Sequence, residues 1–89
     1  MIQVMGTVGG RVQGVFFRRH VQEAAQHRGV RGYARNLPDG RVEVLLCGEE
    51  SAVRDVQAAV EAGPANARVD DVRWREDGSA AVPQGFEVR

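Results

Sequence analysis

Val30-Arg31-Gly32-Tyr33-Ala34-Arg35-Asn36-Leu37-Pro38-Asp39-Gly40-Arg41-Val42-Glu43-Val44-Leu45-Leu46-Cys47 is the stretch on which the fold turns. Its halves, Val30–Asn36 and Arg41–Cys47, read as strands, and Leu37-Pro38-Asp39-Gly40 reads as the turn between them. Proline presets φ for a reversal, and Asp-Gly tolerates the rest of it. Val42, Val44 and Leu46 share one face while Glu43 takes the other, the period of a half-buried strand. A hairpin is therefore expected here.

Upstream of the hairpin, Ile2–Val8 alternates, with Ile2, Val4 and Val8 on one face, and Gly9-Gly10 is expected to end that strand. The pattern from Phe17 to Arg28 is helical: Phe17, Val21, Ala24, Ala25 and Arg28 share one side, and Gly29 follows as a stop. Downstream, Gly48-Glu49-Glu50-Ser51 opens a second helix that runs to about Ala62, with Val53, Val56, Ala59 and Val60 as its apolar stripe. Gly63-Pro64 stops it. Ala67–Glu76 reads as a fourth strand, although Val69 and Val72 fall on opposite parities. Phe86-Glu87-Val88 reads as a short edge strand. The order βαββαβ predicts an α+β fold, the ferredoxin-like split βαβ sandwich, an antiparallel sheet with two helices on one face. Residues 1–89 are expected to form a single domain.

Twelve basic and twelve acidic residues leave no net charge, so nothing attracts the chain globally to nucleic acid or an anionic membrane. Every basic residue is arginine. Cys47 is alone, which excludes an intramolecular disulfide, and its apolar neighbours suit a small buried hydrophobe. No signal peptide, apolar span or lipidation motif is visible, so a soluble, cytoplasmic monomer is expected.

Between the first strand and the first helix lies Gly10-Arg11-Val12-Gln13-Gly14-Val15-Phe16-Phe17-Arg18. Two glycines free the backbone to curl, and a curled backbone turns several N–H groups to one concave side that binds anions. A helix N-terminus behind it adds unpaired donors, and Arg18 adds a planar fork that matches phosphate or carboxylate. Gly9 and Gly14 have P-loop spacing, but the Lys and hydroxyl of a P-loop are missing, and so is a dinucleotide fingerprint. By themselves these residues fit either an anion nest or a Gly-rich turn.

The same run resembles the first signature of the acylphosphatase family. Gly32-Tyr33-Ala34-Arg35-Asn36, followed by Asp39-Gly40-Arg41-Val42-Glu43-Val44, resembles the second, and Gly85-Phe86-Glu87-Val88 resembles the family's closing strand. The resemblance spans nearly the whole chain, with both motifs in the family's order and spacing. It implies the ferredoxin-like fold and hydrolysis of the carboxyl-phosphate bond of acyl phosphates to a carboxylate and inorganic phosphate. It implies no metal, no cofactor, no covalent intermediate, and a small-molecule acyl phosphate as partner. By the same resemblance, Arg18 matches the phosphate-binding arginine and Asn36 the asparagine that orients the attacking water. The backbone amides of Gly14, Val15, Phe16, Phe17 and Arg18 match the phosphate cradle. The alternative is a non-enzymatic phosphate- or anion-binding module of the same fold. Having both Arg18 and Asn36 favours the enzyme, since a binder has no need of a water-orienting amide.

Other residues are weighed against plainer roles. His20 and His27 lie two turns apart on the first helix, too far for one metal ion, and suit surface or helix-end positions. Glu49-Glu50 and Asp70-Asp71 suit a helix start and a solvated strand edge rather than an acid/base pair. Arg73, Trp74, Arg75 and Arg89 could form a basic stripe, but no RNA-recognition signature accompanies them. Phe16 and Phe17 are expected to anchor the loop in the core.

Overall fold

The computed structural model describes all residues, Met1–Arg89. In chain order the elements are β1 (Ile2–Arg11), α1 (Phe17–His27), β2 (Arg31–Asn36), β3 (Val42–Gly48), α2 (Glu50–Ala62), β4 (Arg68–Glu76) and β5 (Phe86–Val88). They build one five-stranded sheet of order β4-β1-β3-β2-β5. The β2–β3 hairpin forms as the turn chemistry predicts, with Arg31 opposite Cys47 and Asn36 opposite Val42. No helix is long and apolar enough to cross a membrane.

Both helices cover the same sheet face. Phe17, Val21 and Ala25 of α1 and Val53, Val56 and Val60 of α2 meet Val4, Val8, Val42, Val44 and Leu46 of the sheet in one cluster. Burying each of the valine, leucine and phenylalanine side chains contributes about 1.5–3 kcal/mol against solvent exposure. Arg28, expected on the buried side of α1, lies just past the helix end, exposed, and pairs with Asp55 of α2. A guanidinium that bridges to a neighbouring helix at the surface keeps its hydration.

The structure corrects three further expectations. Gly9-Gly10 does not end β1, which continues to Arg11 alongside β4. Gly10 has φ +125°, and a Cβ there would collide with the Arg68 carbonyl oxygen, so this glycine permits a close strand approach rather than a stop. Secondly, the register between β1 and β4 shifts: Gly9 faces Asp71 and Gly10 faces Val69, leaving Asp70 as the extra residue of a β-bulge. That one-residue insertion brings Val69, Val72 and Trp74 onto the same core despite their mixed parity. Thirdly, the sheet is mixed, because β5 joins the antiparallel strands by pairing parallel to β2. β4 ends beside Gln3, at the end of the sheet where β2 begins, so a strand entered straight from the crossing runs the same way as β2.

The crossing itself covers the sheet face away from the helices. Residues 77–85 pass from the β4 edge to the β5 edge, with Gln3 Nε2 donating to the carbonyls of Asp77 and Ala80. Ala80 and Val82 pack there on a second small cluster of Met5, Tyr33 and Leu45.

Candidate active site

The strand-to-helix loop after β1 is held by its odd-and-even burial. Val12, Val15 and Phe17 are buried, whereas Gly14 and Phe16 point outward. Gly14 has φ +73°, and nothing would touch a Cβ there, so its requirement is conformational rather than steric. Phe16 has φ 61° and ψ 24°, left-handed backbone on an aromatic residue, which costs about 1–2 kcal/mol. This twist turns the Phe16 ring out of the protein, so of the two expected anchors only Phe17 enters the core.

The loop's donors are free. The first helical bond of this region runs from the His20 amide to the Phe16 carbonyl. The amides of Gly14, Val15, Phe16, Phe17 and Arg18 have no acceptor within the protein. α1 has no side-chain cap and no acid in its first turn, so its positive end stays uncompensated. Beside these amides lies a cleft of about 240 Å³ lined by Val12, Gly14, Phe16, Phe17, Arg18, Arg19 and Val88.

β5 shapes the other side of this cleft. Because it runs parallel to β2, it delivers Val88 and Arg89 to the end of the sheet where β1 and β2 finish. The Arg89 amide donates to the Ala34 carbonyl (2.8 Å), and Arg18 Nη1 donates to the backbone oxygen of Arg89. The Arg89 guanidinium sits 4.1 Å from the centre of the Tyr33 ring. Burial, and then the hydrogen bond Tyr33 gives Glu43, hold the Tyr33 hydroxyl above its ordinary pKa, so it remains a neutral donor.

Asn36 closes β2 two residues beyond Ala34. It faces Val42 of β3, which faces Val8 of β1, so one transverse row joins the end of β2 to β1. Asn36 Oδ1 is buried and has no hydrogen-bond partner in the protein. An acceptor so placed is open to a donor from outside the protein, such as a water. Asn36 does not itself line the cleft.

The first and second strands are not neighbours, since β3 lies between them. A side chain ties the loop to the hairpin instead. Gln13 Nε2 donates to the carbonyls of Leu37 and Arg41, each at 2.9 Å, and so ties the loop to both ends of the hairpin turn. Gln13 stood within the loop motif, but nothing in the sequence showed which carbonyls its amide would meet.

The remaining candidates lie elsewhere. His20 Nε2 donates to the Ala59 carbonyl of α2, and His27 is exposed at the end of α1. No group of three or more His, Cys, Asp or Glu side chains is placed to hold a metal ion. Cys47 is buried, with Arg31 Nη2 near its sulfur. Asp70 pairs with Arg68, and Asp71 with Arg41. The imagined basic stripe is split: Trp74 packs on the helix side and donates to Glu61, while Arg89 sits at the opposite sheet edge.

Residues 4–88 match the family profile described as acylphosphatase. An acylphosphatase of Rubrobacter xylanophilus is 49% identical over 82 residues, which covers 92% of this chain and 74% of the relative. One from Halorhodospira halophila is 54% identical over 82 residues, covering 92% and 88%. The crystal structure of acylphosphatase from Bacillus subtilis is similar with a TM-score of 0.93 and 38% identity, covering 100% of this chain and 99% of that one.

Proposed function

The chain belongs to the acylphosphatase family and is an acyl-phosphate hydrolase, and we propose that its loop, Arg18 and Asn36 divide the reaction between them. The amides of Gly14, Val15, Phe16, Phe17 and Arg18 cradle the phosphoryl oxygens. Arg18 adds a fixed positive charge and a fork of donors. Asn36 Oδ1 accepts a hydrogen from the attacking water and aims its oxygen at phosphorus, opposite the acyl oxygen. What supports this reading is that the loop leaves its donors unpaired while Asn36, on the strand two places from β1 in the sheet, carries a buried acceptor without a partner.

The chemistry needs little else. Water oxygen bonds to phosphorus as the bond from phosphorus to the acyl oxygen breaks, and the bonding pair leaves with the carboxylate. Both water hydrogens end on inorganic phosphate, one passing to a phosphoryl oxygen of the substrate itself. A carboxylate is already a good leaving group, so no general acid is required at that oxygen. Positioning and preorganised donors then supply the acceleration, in a reaction that we read as metal-independent. His20 does not line the cleft, and its Nε2 donates to the Ala59 carbonyl of α2.

The test is hydrolysis of benzoyl phosphate in the presence of a chelator. Wild-type activity should survive chelation. Arg18→Ala should lower kcat/KM by about 10³-fold and weaken inhibition by inorganic phosphate. Asn36→Ala should lower kcat about 10²-fold or more while phosphate inhibition persists. An Asn36→Ala enzyme with unchanged kcat would remove the water-orienting role. Protein that binds phosphate without hydrolysing the acyl phosphate would instead favour the anion-binding module.

A further inference from the structure

Phe16 and Val88 are two of only three large apolar side chains that the molecule exposes, at 80% and 41%, and both line the cleft beside the free amides. The third, Met1, lies elsewhere. Phe16 occupies the N-cap position of α1 in left-handed backbone, where Asn or Asp would be better tolerated and Ser, Thr, Asn or Asp would suit the cap. Its ring enters neither apolar cluster. The residue thus serves neither the helix nor the core. Its backbone faces the anion cradle, and its side chain stands over the same cleft.

We infer that Phe16 and Val88 form an apolar lip that receives the acyl group, so the preferred substrates are acyl phosphates with an aromatic or bulky apolar acyl part. The inference rests on the cradle reading above and adds the end of the substrate which that reading leaves unspecified. The phosphoryl group, held by amides and Arg18, is common to every acyl phosphate and cannot discriminate among them. Discrimination must come from what the acyl carbon skeleton touches. Phe16 offers a flat ring from the loop, and Val88 a branched side chain from β5. An acetyl group offers the lip a single methyl, whereas a benzoyl ring offers a whole apolar face whose burial removes more surface from water.

The experiment compares benzoyl phosphate with acetyl phosphate in wild type, Phe16→Asn and Val88→Ser. Asn tolerates left-handed backbone, so Phe16→Asn removes the ring while relieving strain, and circular dichroism checks that it folds. In both variants, kcat/KM for benzoyl phosphate should fall roughly tenfold further than for acetyl phosphate, the scale of a lost apolar contact. The loss should appear mainly in KM. Equal losses for the two substrates, or a preference unchanged from wild type, would overturn the lip. Wild type that hydrolyses neither acyl phosphate would instead overturn the cradle reading beneath it.

Discussion

α2 begins on Glu49 in extended backbone and carries Glu50 in its first turn, whereas α1 begins on Phe16 in left-handed backbone and carries no acid there. Both helices lay an apolar stripe on the same sheet face, so packing does not explain the difference. At α2 a carboxylate lies against the positive helix end, as stability favours. At α1 that compensation is withheld and Arg18 is added, which suits a dianionic ligand and costs the free protein some stability. The contrast shows how one end of a small domain can be left open while its counterpart is closed by the usual means.

Closing the open end should have the largest effect. Phe16→Asp places a carboxylate at the start of α1 in a conformation that Asp tolerates. It should add about 0.3–1 kcal/mol of stability, read as a rise in Tm, and lower kcat/KM by roughly 100-fold through repulsion of the phosphoryl group. Retained inhibition by inorganic phosphate would mean that anions bind elsewhere.

Next comes the tie between the loop and the hairpin. Gln13→Leu removes one of two donors from each of the Leu37 and Arg41 carbonyls, which keep the amides of Gly40 and Leu37, and should cost about 0.5–1.5 kcal/mol per lost bond in urea unfolding. A cradle shifted from Asn36 by even 1 Å should lower kcat by about 10- to 100-fold. A kcat equal to wild type, together with the stability loss, would make Gln13 a purely structural residue.

The closed end supplies the converse. Glu50→Ala removes the first-turn acid of α2 and its pairing with Arg54, and should cost about 0.5 kcal/mol with kcat/KM unchanged. Any selective change in activity would break the separation between the two helix ends.

The smallest effect concerns a carboxylate that caps a turn outside both helices. Asp77 accepts from the Ser79 hydroxyl and amide, which holds its pKa below the ordinary carboxylate value, with Arg75 adding to this. A depressed pKa in the folded protein contributes stability above the unfolded value, and that contribution disappears as pH falls through the folded one. Thermal unfolding should therefore show a wild-type loss of stability below about pH 4, and Asp77→Asn should flatten part of that limb. An identical acid limb in the variant would assign it to other carboxylates.

Legibility in the sequence followed the range of the interactions. The β2–β3 hairpin and the apolar stripes of both helices are local patterns, and each formed within a residue or two of its expected bounds. Val69 and Val72 looked inconsistent because a bulge at Asp70 depends on β1, far away in the chain. Gly9-Gly10 looked like punctuation because its close partner, Arg68, is equally distant. The cluster of Met5, Tyr33 and Leu45 was not anticipated, since only the loop crossing the sheet makes that face a core.

The same division holds at the site. By its own residues the sequence determined that a curled, glycine-containing loop precedes a helix with Arg18 in its first turn, because backbone freedom and helix polarity are local properties. It also marked Asn36 by resemblance. Only the tertiary structure decided that β3 stands between the two halves, that Gln13 bridges them, and that β5 brings Val88 and Arg89 to the cleft. Only there did Phe16 leave the core, because a left-handed backbone angle, set by how the loop closes onto α1, aims its ring outward.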